Sequence, residues 1–139
     1  MTAPEVQSGA RRWVLAAVVA GAMYFAIGRA FATAATSTRL ARVWAWLISL
    51  VVFVVHLWYE RRRMQSSRRA ASLHVALAVA IGAAGLALVA MLRSSHTGPI
   101  KPIWFASLIL WPAITAIPAF VSAFIALWLL DRATRTPSA

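Results

Sequence analysis

Four runs of apolar residues, at positions 13–33, 43–59, 73–92 and 103–130, take up most of the chain. A hydrocarbon core about 30 Å thick is crossed by about 20 helical residues rising 1.5 Å each. Lipid offers the backbone no hydrogen bonds, so such a run has to satisfy its own N–H and C=O groups as a helix. None of the runs alternates with period two, which argues against a β-barrel. The pattern predicts an all-α polytopic integral membrane protein with four transmembrane helices.

The second run is the shortest, and its polar flanks reach the interface by snorkelling. The fourth is overlong: straight, its 28 positions would extend about 42 Å. It also holds Pro112 and Pro118. Each proline lacks an N–H and crowds the carbonyl four residues back, here those of Leu108 and Ile114. A kink is therefore predicted in this helix, read either as static or as a hinge, with the hydroxyls of Thr115 and Ser122 nearby.

The polar segments between the runs are short, which makes sequential helices antiparallel neighbours in an up-down bundle. In lipid, close helix contact depends on small residues. Ala17 and Gly21 in the first run, and Ala78, Gly82 and Gly85 in the third, are so spaced. The two proline-bearing features lie in the second half and have no counterpart in the first, so an inverted-repeat transporter is not indicated.

Composition fits this solvent. The 139 residues are 62% hydrophobic and 12% charged, against about 25% charged in a soluble domain. The termini, 1–12 and 131–139, and the interhelical segments are too short to bury a core of their own. One membrane domain, residues 1–139, is expected. With no cysteine, disulfides and thiolate chemistry are excluded. The first run exceeds the 7–15 residues of a signal-peptide core, so it reads as a retained anchor.

Charge adds an orientation. The net charge is +11, from fourteen basic and three acidic residues. Arg11, Arg12, Arg61, Arg62, Arg63, Arg68, Arg69, Arg132 and Arg135 fall on one side. Arg29, Arg39, Arg42, Arg93 and Lys101 fall on the other. The bias places both termini and the second interhelical segment in the cytoplasm, and a bacterial inner (plasma) membrane is the expected location. Tryptophan agrees: Trp13, Trp58 and Trp128 lie near the inner interface, Trp44, Trp46 and Trp104 near the outer one, and only Trp111 deeper. Basic residues so scattered at span ends do not suggest nucleic-acid binding. They suggest membrane lipids with anionic headgroups as partners.

Three groups of side chains call for a reason. Arg29, Arg39, Arg42, Arg93 and Lys101 lie in outer segments that contain no acid, which suggests snorkelling to lipid phosphate or, more sharply, an anion-attracting vestibule. Arg61, Arg62, Arg63, Arg68 and Arg69, following Glu60, read as a solvated cytoplasmic loop for lipid or partner docking. His56 and His74 lie at similar depth on the inner side. Interfacial hydrogen bonding is their default reading, and axial ligation of haem a remote one.

No Asp or Glu falls within the four runs, so a carboxylate proton relay is not expected. Phosphate-loop, metalloprotease and nucleophile-elbow motifs are absent. No cofactor or metal is called for. A drug-exporter assignment would ask for a glutamate in the first span, where there is none. The expectation is a non-enzymatic four-span protein, acting as a homo-oligomer or as an accessory subunit of a larger membrane complex. A small channel or transporter for an anionic solute is the alternative.

Overall fold

The structure, a computed structural model, describes residues 3–34, 39–96, 98, 99 and 101–134, with side chains in the first helix described for 12–31. Arg135 and the side chain of Arg11, both part of the orientation argument, lie outside this set, as does the side chain of Glu5. The described residues form four α-helices: α1 (Ala3–Ala34), α2 (Arg39–Arg62), α3 (Arg68–Ser95) and α4 (Pro102–Ala133). Each is long and apolar enough to cross a membrane.

Every helix runs past the apolar stretch that announces it. α1 starts at Ala3, with Pro4 in a first turn where a missing N–H is no loss. α2 continues through Arg61 and Arg62, and α3 through Arg93 to Ser95. The interhelical segment expected at 60–72 thus contracts to a turn at 63–67. Ser67 caps α3, its Oγ accepting from the Ala70 N–H at 3.3 Å. α4 begins at Pro102 behind an extended Lys101 and continues through both internal prolines. There the Thr115 hydroxyl donates to the carbonyls of Trp111 and Pro112, each at 3.0 Å, rather than to those freed at Leu108 and Ile114.

α3 touches all three other helices, most extensively α4 and then α1. Its small residues explain the α1 contact. A Cβ built on Gly21 would lie 3.0 Å from the Ala78 carbonyl oxygen, and one on Gly82 would lie 3.0 Å from that of Gly21. The two backbones therefore meet directly. Gly28 faces Leu86 further along, so α1 and α3 run in the same sense. Arg68, at the start of α3, meets Phe124 and Asp131 near the end of α4, so these two run oppositely.

Two small apolar clusters form the core. Leu57, Ala71, Val75, Ala123 and Leu127 join α2, α3 and α4. Ala17, Ala20 and Ala78 join α1 and α3, with Trp13 and Tyr24 against them. In α2 the buried residues are Val52, His56, Leu57 and Glu60, all in its second half. None of residues 39–51 is buried.

Candidate functional site

The side chains with most chemistry converge where α2 turns into α3. Glu60 sits in the last turns of α2, one helical turn after His56, on the face that α3 covers. Its exposure is 0%. The expectation that it belongs to a solvated loop is thereby corrected: Glu60 is a buried acid in the last turns of the helix Arg39–Arg62.

Three groups surround its carboxylate. His74 Nδ1, from the first turns of α3, lies 2.9 Å from Oε2. Ser66 Oγ donates to the same oxygen at 2.9 Å. His56 Nε2 approaches Oε1 at 3.8 Å, too far for a hydrogen bond. Oε1 and both ring nitrogens of His56 are buried without a hydrogen-bond partner. Trp13 of α1 lies flat on the His74 imidazole, with ring centroids 4.5 Å apart and planes 3° from parallel. The turn brings Ser66 into reach: Gln65 adopts a left-handed φ of 48°, and the Ser66 N–H returns to the Glu60 carbonyl at 3.3 Å.

A second charged cluster closes the same end of the molecule. Asp131, at the end of α4, accepts from Arg61 of α2 and from Arg68 of α3, with Arg68 Nη2 at 3.0 Å and Nε at 3.3 Å. Arg68 also lies over the Phe124 ring at 5.5 Å, and Arg132 over Trp128 at 3.9 Å. Both acids with described side chains thus serve one polar clasp that ties together α2, the turn, α3 and α4, with Trp13 of α1 laid against it.

The energetics differ between its halves. Taking a carboxylate out of water costs several kcal/mol, and hydrogen bonds to charged groups return about 1.5–3 kcal/mol each. Glu60 therefore depends on its neighbours. Arg61 keeps 43% of its side chain exposed, and ion pairs at such sites contribute about 0–1 kcal/mol.

The clasp sets an imidazole against a carboxylate, but its order is not that of a nucleophilic triad. There the hydroxyl bonds the imidazole, whereas here Ser66 bonds the carboxylate. Among the described residues, no group of three or more His, Asp or Glu side chains is arranged to hold a metal ion. Both imidazoles, considered for haem, are turned on Glu60, and Trp13 covers one face of His74.

The other expected residues separate. Arg61 and Arg68 enter the clasp, while Arg62, Arg63 and Arg69 stay exposed. At the opposite end, Arg29 and Arg93 line one cavity of about 440 Å³ with Ser107, Trp104 and Trp111. Arg39, Arg42 and Lys101 are exposed and do not line it. Ala17, Gly21, Ala78 and Gly82 lie at the α1–α3 contact, while Gly85 faces the Phe25 ring. Gly28 belongs to the same seam and was not singled out. Glu60 was missed because three following arginines mark it as surface. The signal that could have found it is its i,i+4 spacing from His56.

Compared with models of protein families, with curated proteins and with solved structures, the chain matches none.

Proposed function

We propose that the protein is an integral membrane protein of the plasma membrane, its four helices an up-down antiparallel bundle bent at Pro112 and Pro118. Its termini and the α2–α3 turn are cytoplasmic. It is non-enzymatic and works as a homo-oligomer or as a subunit of a larger membrane complex.

One observation carries the assembly reading. α2 has buried residues in its inner half alone, while its outer half presents Trp46 at 79% exposure and Trp44 at 53%. α4 is similarly uncovered, with 11% of its apolar window buried. Lipid solvates such faces, but a helix anchored at one end is completed by a neighbour along the other. The parallel course of α1 and α3 and the opposed course of α3 and α4 support the topology.

The cavity shared by Arg29 and Arg93 favours a second reading, an anion-attracting vestibule of a small channel or transporter. One experiment separates the two. Trp46→Cys creates a single thiol in a cysteine-free chain. A disulfide-linked dimer in native membranes supports the homo-oligomer, and stable co-purification of another membrane protein supports the subunit. A monomer with neither contradicts the assembly reading. Anion flux from liposomes holding this chain alone, lost on Arg29→Ala, establishes the vestibule instead.

A further inference from the structure

We propose that Glu60, His56 and His74 form a binding site for one proton, and that this proton latches the second half of α2 against α3. The latch does not depend on which side of a membrane this end of the molecule faces.

The three groups are enclosed together. The Glu60 side chain has no exposed surface, His56 keeps 4% of its own and His74 17%. With both imidazoles neutral, the set carries the single negative charge of the carboxylate. One added proton cancels that charge, and a second leaves a net positive one in the same enclosure. An uncompensated buried charge is strongly destabilising, so the set is built to hold one proton.

The contacts show where it goes. His74 Nδ1 already meets Glu60 Oε2 at 2.9 Å. On the other oxygen, His56 Nε2 stands 3.8 Å from Oε1, and both atoms are buried without a hydrogen-bond partner. Neither has surface that a water-sized ligand could reach, whereas a proton needs no room. It enters at His74, the most exposed of the three, and the two imidazoles share it across the carboxylate. Titration therefore belongs to the set rather than to either histidine. The neighbouring charges are engaged elsewhere. On α1, Arg12 lines the groove beside His56 and Tyr59 but is exposed, and Trp13 brings a ring face to His74. Arg61 of α2 and Arg68 of α3 are both turned to Asp131 of α4.

The site can act as a latch because α2 is held by little else. Its buried residues are Val52, His56, Leu57 and Glu60, and two of these four belong to the site. With the proton bound, an imidazolium of α3 and a carboxylate of α2 form a hydrogen-bonded ion pair between the helices. Without it, a net charge lies buried at the contact. That charge is relieved when the second half of α2 leaves α3 and carries Glu60 to water.

The test uses the intact chain in detergent, where both ends meet the same buffer. The chain holds three histidines. Each is labelled with carbon-13 at Cε1 and followed by NMR between about pH 5 and 8, where imidazoles change charge. His56 and His74 are expected to shift together as pH falls. Their shared midpoint is expected to drop by about one pH unit in Glu60→Gln, a tenfold loss of proton affinity. His96, exposed at the far end of α3, keeps its midpoint in that variant. Imidazoles of the set that do not change charge in this range, or do so at the same pH with and without the Glu60 charge, overturn the site. Spin labels at Trp58→Cys and Leu129→Cys, exposed positions on α2 and α4, read the latch by pulsed EPR in chain diluted with unlabelled chain. A narrow, short distance is expected near the acid end of the range, and a broader, longer one near the alkaline end. Identical distributions at both ends overturn the latch. The unsubstituted site supplies both readings even if Glu60→Gln does not fold.

Discussion

Glu60 shows how much one residue in this chain depends on its surroundings. Its carboxylate is buried, and two hydrogen-bonding contacts, from His74 and Ser66, meet one oxygen. Removing one partner of a buried charged pair costs about 3–5 kcal/mol, whereas replacing the set with apolar groups of similar size is often neutral. His74→Ala is therefore expected to destabilise by about 3 kcal/mol, because it strips Glu60 of a donor and Trp13 of its stacking surface. Glu60→Gln, which keeps an acceptor at the same place, is expected to cost less. Denaturation of the detergent-solubilised protein, followed through tryptophan fluorescence, measures both. If the two variants lose equal stability, the carboxylate's charge is not what its partners hold. Little of this was legible in sequence. Histidine depth could be read from distance to the span ends. The pairing with Glu60 could not, because it depends on a left-handed Gln65 that turns Ser66 back onto the helix end.

The helices themselves were largely legible, because crossing a bilayer would ask one thing of each: about 20 apolar residues in a row. Their ends were not. Arg61, Arg62 and Arg93 are polar yet helical, since a helix does not have to end where its apolar run ends. The small-residue seam between α1 and α3 was legible through Gly21 and Gly82, whose spacing allows close approach. Its energetics follow from what each glycine faces. At Gly82 a Cβ would come within 2.7 Å of Tyr24 Cβ and 3.0 Å of a backbone oxygen, neither free to move. At Gly28 it would meet the end of the Leu86 side chain, at 2.6 Å, which rotates away. Gly82→Ala is therefore expected to destabilise by about 1–3 kcal/mol, and Gly28→Ala by less, since the better helix propensity of alanine, about 1 kcal/mol, offsets a smaller clash. The same unfolding assay ranks them. A larger loss at Gly28 would show that the seam is not closest at Gly21 and Gly82.

At the scale of the molecule, the two ends are built differently. One gathers both described acids, two histidines and two arginines into a clasp across α2, α3 and α4. The other carries basic residues in segments without acids, and there α2 has no buried residue. The basic excess at the clasp end, with Arg62, Arg63 and Arg69 exposed beside it, is the ground for proposing that this end faces the cytoplasm. The bundle is thus held by polar bonds at one face and left free to meet partners toward the other. Sequence supplied the charge bias behind this orientation. It did not supply the clasp, which exists only once residues 60, 66, 74 and 131 are brought together by the fold.

The most direct test of this account is the sidedness of its two ends in intact cells. Arg63→Cys and Gly98→Cys each place a single thiol at opposite ends of α3. A membrane-impermeant maleimide is expected to label Gly98→Cys in intact cells, and Arg63→Cys only after permeabilisation. Labelling of Arg63→Cys from outside with protection of Gly98→Cys, or equal labelling of both, would contradict a membrane-spanning bundle clasped at its cytoplasmic face.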